Sequence, residues 1–297
     1  MSYELVKSKI EAPDTQNRFA DMIVASRGLA RDKAAEEYQL ESFQFKKLLL
    51  ESSSLVGKDY SPISAMSVFL DVISAGLSFS PVQKHVYVLS RSVKTGRKDA
   101  NKKDIYEDRL YFTEQANGLI HLARAAKSIE GVTQPTIVYA DDKFSNGTDV
   151  NGLDWVEYIA GPGESDVIVG AFCHVILHNG KREAVVLKKR DWMRLAEFSK
   201  KQNSKWDDNV KKKVPGDANA LYYSNGGQID PGFLATKLVK KALKYRDKKT
   251  IVSDVHIEDT DAEVDTVDTA HEDVTGHDTQ DTQPQAGQAQ IEDKDPF

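Results

Sequence analysis

The spacing of apolar residues along the chain changes from a helical period to a strand period and back. A mixed pattern over residues 33–50 predicts an N-terminal helix. A clearer helix follows, for which Ser61 is a suitable cap, Pro62 suits the first turn and Gly76 suits the end. Its apolar stripe consists of Ile63, Met66, Phe69, Leu70 and Ile73.

The period then shortens. Residues 85–89 and 108–112 read as two strands. Residues 90–107 between them are polar and rich in lysine, and they are too long for a tight turn, so we expect a mobile hairpin tip. The helical period returns over residues 115–128, with Leu119, Leu122, Ala123 and Ala126 inward and Asn117, His121, Arg124 and Lys127 outward.

The second half of the chain repeats this alternation. Strands are predicted over residues 136–140, 153–159, 167–177 and 183–188, and Asn179-Gly180 is typical of a two-residue hairpin turn. A helix near residues 190–200, a long polar stretch and a closing helix follow; Asp230 can cap the last helix. Helices that flank a small antiparallel sheet and hairpin core predict an α+β fold.

Charge divides the chain into two unequal parts. Its 297 residues carry a net charge of −6, but residues 251–297 contain 14 acidic residues and one lysine, which leaves residues 1–250 at +7. The acidic part has too few apolar residues to offset its ordering entropy. We therefore expect an N-terminal helical region open to oligomer contacts (1–55), a core (56–250) and a disordered acidic tail (251–297).

Motifs for common chemistries are not found. The chain has no phosphate-binding G-x-x-x-x-G-K-[ST] loop and no G-x-S-x-G nucleophile elbow. Cys173 is a single cysteine, typical of a packed residue in a reducing compartment, and His174 and His178 would lie roughly 13 Å apart on one strand, too far to share a metal. Neither a signal peptide nor an apolar membrane span is visible, so we expect a soluble cytoplasmic protein that is not an enzyme and has no metal or cofactor.

Cations and aromatic residues are the remaining signals. Lys237, Lys241, Lys244 and Lys248 fall on one side of the closing helix, and Lys188-Lys189-Arg190 and Lys211–Lys213 form two further clusters. Such residues can simply form a solvated face. Alternatively, repeated cations bind the phosphates of single-stranded nucleic acid while aromatic rings stack on its bases.

Three stretches then follow a recognisable order. The first runs from Ser61-Pro62 through Gly76-Leu77 and Pro81 to the strand at Val86; the second joins Tyr111-Phe112 to Gly118 and Arg124; the third joins Val138-Tyr139 to residues 168–172. With the closing helix, these stretches resemble the RecT/Red-beta-type single-strand annealing recombinases of phages and prophages. Ala116, Asn117 and Leu238 depart from that family's pattern.

The resemblance implies a protein without enzymatic turnover that binds single-stranded DNA and anneals complementary strands without ATP. It also implies homo-oligomeric rings or helical filaments and a partner exonuclease. The expected groove residues are Thr113, Gln115, Asn117, His121 and Arg124, with Lys188, Lys189, Lys237 and Lys241 on phosphates and Tyr87, Tyr111 and Phe112 as candidates for stacking. A passive single-stranded-DNA-binding protein and a metal-dependent nuclease are the alternatives.

The last residues of the tail form a separate motif. Residues 291–297 end in Asp295-Pro296-Phe297 and resemble the acidic tip of bacterial single-stranded-DNA-binding proteins, which host repair and replication proteins bind. We hypothesise that this tip recruits such partners. Deletion of Pro296 and Phe297 should abolish pull-down of those proteins and leave annealing intact, whereas retained pull-down would refute the role.

The acidic tail either keeps the protein soluble or competes with DNA for the basic part of the chain. If it competes, a chain truncated after Thr250 will bind a short single-stranded oligonucleotide more tightly at low salt, because the tethered negative charges are gone. Fluorescence anisotropy measures this affinity. Equal affinities for the full and truncated chains would leave solubility as the tail's role.

Overall fold

The structure is a computed structural model that describes residues 2–207 and 209–248. The predicted acidic tail and its tip at Asp295, Pro296 and Phe297 lie outside these residues. Within the described ranges, no helix combines the length and the apolar character needed to cross a membrane.

Four N-terminal helices pack around one aromatic cluster. They are α1 (Ser2–Ile10), α2 (Pro13–Arg27), α3 (Arg31–Glu51) and α4 (Pro62–Ser74). Phe69 of α4 lies at the centre, with ring centroids 5.4 Å from Phe45 and 6.0 Å from each of Phe19, Tyr38 and Phe79. This first core continues into Val86, Val88 and Leu110, so the N-terminal helices share it with the strands that follow.

The two ends of α4 differ in how well the sequence predicted them. Gly76 has φ 78° and the backbone N–H of Leu77 donates to the carbonyl of Val72, which confirms the glycine stop. Ser61 does occupy the N-cap position before Pro62, but its side chain makes no capping hydrogen bond. The Ser61 backbone N–H instead donates to the carbonyl of Asp108, and this bond ties the start of α4 to the second strand.

A buried carboxylate fixes the turn between α4 and the first strand. Glu41 of α3 is 4% exposed and accepts hydrogen bonds from the Ser78 hydroxyl (2.5 Å) and from the Phe79 backbone N–H (2.8 Å). A buried carboxylate is costly unless it is hydrogen-bonded, so these contacts hold the turn in one position against α3.

The next two strands, β1 (Val86–Lys98) and β2 (Asp104–Glu114), form a long antiparallel hairpin. The prediction of a mobile tip over residues 90–107 is wrong, because strand pairing continues almost to the turn. An ion pair between Lys94 and Asp104 (2.6 Å) and a hydrogen bond from the Thr95 hydroxyl to the Ile105 carbonyl (2.8 Å) support the far end. Most residues there are exposed on both faces, so no buried alternation marks the strands in the sequence.

The second sheet is built on β7 (Ile168–Ile176). One edge of β7 pairs with β3 (Gly131–Val132) and β4 (Thr136–Tyr139), and the other pairs with β8 (Arg182–Lys188), all antiparallel. Gly180, with φ 75°, lies in the β7–β8 turn, which confirms the predicted hairpin. A separate pair, β5 (Lys143–Thr148) with β6 (Asp154–Ile159), packs Phe144 and Tyr158 near Phe172 of β7. The sequence did not predict β3 or β5.

Three helices complete the fold: α5 (Ala116–Ala125), α6 (Lys189–Gln202) and α7 (Pro231–Leu243). Between α6 and α7 lie a small hairpin, β9 (Lys205–Asp207) with β10 (Lys212–Val214), and a short 3-10 helix (Ala220–Tyr222). The Asp230 carboxylate accepts the Phe233 backbone N–H at 2.8 Å and caps α7 as predicted. Residues of α5, β7, β8, α6 and α7 form the second core, and the α+β prediction is confirmed.

Candidate nucleic-acid interface

The β1–β2 hairpin has one buried face and one outer face. Side chains alternate along each strand, and Val86, Val88 and Leu110 point into the first core. By the strand register, Tyr87 pairs with Thr113, Leu89 with Tyr111, and Arg91 with Arg109 on the opposite face. These six residues are named the outer face below. It combines two phenol rings, two guanidinium groups and a hydroxyl with the Leu89 side chain, which is only 8% exposed.

The aromatic residues of the hairpin divide between the two faces. Tyr87 is 48% exposed, and the Arg91 guanidinium lies 5.8 Å from the ring centroid of Tyr111. Burial raises the pKa of the Tyr111 phenol, so the hydroxyl stays protonated and can donate a hydrogen bond at neutral pH. Phe112 instead packs against the first core. Of the three predicted stacking residues, Tyr87 and Tyr111 therefore lie on the outer face.

Two arginines that the sequence reading missed lie directly opposite each other. Arg91 and Arg109 are Cα partners across the strands, and both are exposed. Like charges in directly opposed positions destabilise a strand pair. The Nε atom of Arg109 is 3.0 Å from a Glu107 carboxylate oxygen, which offsets part of this repulsion. An anion bound between the two guanidinium groups would offset more of the repulsion. The two arginines are 18 residues apart in the sequence, and the strand register brings them together.

The start of α5 is bound to the segment that leads into β1. The Gln115 side-chain amide donates to the Val86 carbonyl (2.8 Å), and the Asn117 amide donates to the Gln83 carbonyl (3.1 Å). A Cβ atom at Gly118 would lie 2.2 Å from the carbonyl oxygen of His85, so only glycine fits here. This glycine lets α5 approach the hairpin closely.

Two further predicted residues occupy the exposed side of α5. The His121 ring lies 4.7 Å from that of His85, centroid to centroid. Arg124 donates from Nε to the carbonyl of Glu130 (2.8 Å), so part of its guanidinium holds the approach to β3. Both side chains belong to exposed residues. Thr113, Gln115, Asn117, His121 and Arg124 thus follow one another from the outer face along α5.

A separate group of cations lies where β8, α6 and α7 meet. The Asp191 carboxylate accepts the Lys188 backbone N–H (3.0 Å) and lies 3.6 Å from the Lys241 ammonium. The Lys241 ammonium also donates to the Val186 carbonyl (2.8 Å), while Lys189 is exposed. The structure therefore brings Lys241 of α7 beside the start of α6 at Lys188 and Lys189, two clusters that are separate in the sequence.

Lys237 departs from the expected exposed stripe of α7. It is 4% exposed, and its ammonium lies 4.5 Å from the ring centroid of Phe233. The prediction that Lys237 faces solvent with Lys241 is wrong, because Lys237 is buried together with Leu234 and Leu238. Its charge lies over the aromatic ring.

Lysine also occupies unusual backbone positions. Among the described residues, all four non-glycine residues with positive φ are lysines: Lys84, Lys102, Lys127 and Lys211. A side chain in this left-handed region costs about 1 kcal/mol relative to glycine. Lys84 precedes β1 and Lys127 follows α5, so two of these turns flank the junction between the hairpin and α5.

The residues that sequence reading weighed for catalysis lie inside the second sheet. Cys173 is buried, and burial raises the pKa of its thiol to about 12, which disfavours the reactive thiolate. Burial lowers the pKa of His174. Within residues 2–207 and 209–248, no three His, Cys, Asp or Glu side chains converge in a metal-binding group.

Comparison with known protein families gives a match. The model of the RecT family matches residues 44–213, which is 170 of the 297 residues. The matched part begins in α3 and includes the hairpin, α5, the second sheet and α6, and it ends in β10. The resemblance noted for the closing helix α7 lies outside it. No match is found among curated proteins.

The contact between Gly118 and His85 predicts different outcomes for two glycine substitutions. Gly118→Ala should lower the free energy of unfolding by about 1–3 kcal/mol and weaken oligonucleotide binding, because the new methyl group meets a backbone carbonyl. Gly170→Ala is the matched control, since a Cβ atom there would lie 3.4 Å from the Phe144 ring and 3.5 Å from the Leu187 carbonyl oxygen, which are ordinary contacts. Denaturant unfolding and fluorescence anisotropy compare the two; equal losses in both variants would contradict the prediction.

Proposed function

The chain belongs to the RecT family, whose members are single-strand annealing proteins of recombination, and from this we propose that it binds single-stranded DNA and anneals complementary strands without ATP. In this proposal the protein binds and positions DNA and makes or breaks no covalent bond. The outer face of the β1–β2 hairpin is the observation that carries the proposal.

The outer face matches the chemistry of a single strand. Unpaired bases present flat apolar faces, and stacking on an aromatic ring contributes about 1–3 kcal/mol per base. Tyr87 is the exposed ring there, and Tyr111 lies beside it under Arg91. Arg91 and Arg109 supply paired cations for the backbone phosphates. Duplex DNA offers no unpaired base face, so this set of side chains favours a single strand.

The α5 residues extend the same path. The side-chain amide N–H groups of Gln115 and Asn117 donate to backbone carbonyls, which leaves the side-chain carbonyl oxygens of both residues as acceptors for base edges. His121 and Arg124 continue along the exposed side of the helix. We propose that a strand runs from Tyr87 and Thr113 along α5, with Lys188, Lys189 and Lys241 on more distant phosphates. Lys237 then acts by packing α7.

Annealing needs little from the protein beyond this surface. Base pairing itself releases about 1.4 kcal/mol per step, so no nucleotide hydrolysis is required to drive it. The protein neutralises phosphates, holds bases accessible and lowers the entropic cost of the encounter. Cations opposite each other on the hairpin reduce the repulsion between the two strands as they meet.

We further propose that the protein works as a homo-oligomer in the cytoplasm, in phage-type recombination with a partner exonuclease. Exposed apolar side chains on α3 support the oligomer: Leu40, Phe43 and Leu50 are 54%, 58% and 54% exposed. Large apolar residues that share a surface of this kind are typical of protein contacts. Sedimentation velocity with and without a single strand measures this assembly.

The proposal predicts faster pairing of complementary strands. Two complementary oligonucleotides labelled with a fluorophore and a quencher are mixed with the protein, without ATP and with a metal chelator. Annealing should be accelerated, since binding to the outer face needs neither ATP nor a metal ion. Retardation would favour a passive single-strand-binding protein, and degradation that appears only with a metal would favour a nuclease; both results would contradict the proposal.

Two variants connect the assay to the outer face. Tyr87→Ala should weaken single-strand binding about tenfold, as expected for the loss of one stacked base. Tyr245→Ala is the matched control, because Tyr245 is 88% exposed and lies just beyond α7, beside Glu183 and Ala184 of β8. Equal behaviour of the two variants would remove Tyr87 from the site.

A further inference from the structure

The second sheet has an open edge along β8. In an antiparallel pair of strands, residues that bond to each other alternate with residues whose backbone groups point away. The His174 backbone bonds on the side away from β8: its N–H donates to the Thr133 hydroxyl (2.9 Å), and its carbonyl accepts the Thr133 N–H (2.8 Å). Ala184 is the partner of His174 across the two strands, so the N–H and carbonyl of Ala184 point outward from the sheet.

The same alternation places the backbone groups of Val186 and Lys188 on this edge. The Val186 carbonyl accepts a hydrogen bond from the Lys241 ammonium (2.8 Å). The Lys188 N–H donates to the Asp191 carboxylate (3.0 Å). No described residue bonds to the outward N–H and carbonyl of Ala184 or to the N–H of Val186. The middle of the edge therefore has two donors and one acceptor that the described chain leaves unused.

A cleft lies beside this edge. It has a volume of about 390 Å³ and is bounded by residues 183–185 of β8, by residues 152–154 at the β5–β6 turn, and by the end of α7 with the residues just after it. An unpaired strand edge is a template for a further strand. The cleft leaves space for such a strand next to Ala184.

The chain beyond α7 is held next to the same cleft. Arg246 forms an ion pair with Glu183 near the start of β8, and the Ser128 hydroxyl donates to the Asp247 carbonyl (2.8 Å). Tyr245 lines the cleft itself. The residues from 249 onward, which lie outside the described ranges, therefore begin beside the open edge.

Residues 251–257 have the composition of a strand. Four of the seven are Ile or Val, one is acidic, and neither Gly nor Pro interrupts them. The chain changes character directly afterwards, since residues 258–263 contain four acidic side chains. Within the tail, residues 251–257 are thus well suited to extend a sheet, and they follow closely after the anchored residues Arg246 and Asp247.

We propose that residues 251–257 pair with the open edge of β8 as an added parallel strand. The direction follows from the anchor, because Arg246 holds the chain near the first residues of β8. Seven residues in a strand span about 23 Å, which matches the seven residues of β8. The added strand supplies backbone partners for Ala184 and Val186. It is an exception to the disorder expected for residues 251–297, and its formation requires no DNA.

The added strand also brings opposite charges together. β8 leads directly into α6, where Lys189 and Arg190 are exposed. A parallel strand that ends at residue 257 places the acidic residues 258–263 beside these two cations, and their attraction favours the parallel direction. The strand covers an edge that could otherwise pair with a second copy of the chain.

The test uses the alternation of amides along β8 in the full chain. Hydrogen exchange resolved to single residues is measured for the outward amides of Ala184 and Val186 and for the inward amides of Val185 and Leu187, which face β7. The outward amides should exchange at least about tenfold more slowly in wild type than in a variant that cannot form the added strand. The inward amides should exchange alike in both chains.

The disrupting variant combines Val252→Pro with Ser253→Pro. Proline has no N–H, and one of any two adjacent residues must donate to β8 whichever way the segment faces. The matched control carries Val267→Pro and Asp268→Pro, farther along the tail. Faster exchange of the outward amides in the first variant alone supports the proposal. Equal exchange of these amides in all three chains would overturn it.

Disulfide formation distinguishes pairing within one chain from pairing with a second copy. Ala184→Cys combined with Ser253→Cys should form an internal disulfide about tenfold faster than Ala184→Cys combined with Val267→Cys, because the strand holds the first pair together. The native Cys173 is buried and does not compete. Equal rates for the two pairs, or a covalent dimer as the main product of the first pair, would overturn the proposal.

Discussion

One helix, α5, connects the two hydrophobic cores of the described chain. Its neighbouring residues Leu122 and Ala123 belong to the first and second core respectively. At its start, Gly118 lies so close to the His85 carbonyl that no side chain fits between them. The position of α5 against the hairpin therefore depends on this contact. Because the outer face leads directly into α5, the same contact determines whether the proposed DNA path is continuous.

The cationic side chains fall into two classes: those that bond to other parts of the protein and those that project into solvent. Lys241 and Arg246 hold α7 and the residues just after it against β8, and the Lys237 ammonium lies over the Phe233 ring of the same helix. Arg124 holds the approach to β3. Arg91 and the lysines of the β9–β10 hairpin project from sheets and turns instead. The lysines at positive φ belong to this second class, because they place charge at turns at a cost in backbone energy. A count of charges in the sequence cannot separate these two classes.

Sequence reading succeeded where the determinants are local. The start of α7 at Asp230, the stop of α4 at Gly76 and the turn at Gly180 each depend on a few adjacent residues. It failed where distant segments meet. The length of β1 and β2 depends on pairing between strands that bury little, and the burial of Glu41 depends on Ser78, 37 residues away. For the candidate site, it identified Tyr87, Tyr111 and the α5 residues, but Arg91 and Arg109 become neighbours only through the strand register.

The central claim is that a single strand lies on the outer face of the β1–β2 hairpin and continues along α5. Ultraviolet cross-linking of a thymine oligonucleotide to the full chain, with the linked peptides mapped by mass spectrometry, tests it most directly. Exposure alone would favour Tyr245, which is 88% exposed, over Tyr87 at 48% and the half-buried Tyr111. The account predicts cross-links at Tyr87 and Tyr111. Cross-links at Tyr245 with none in the hairpin would contradict it.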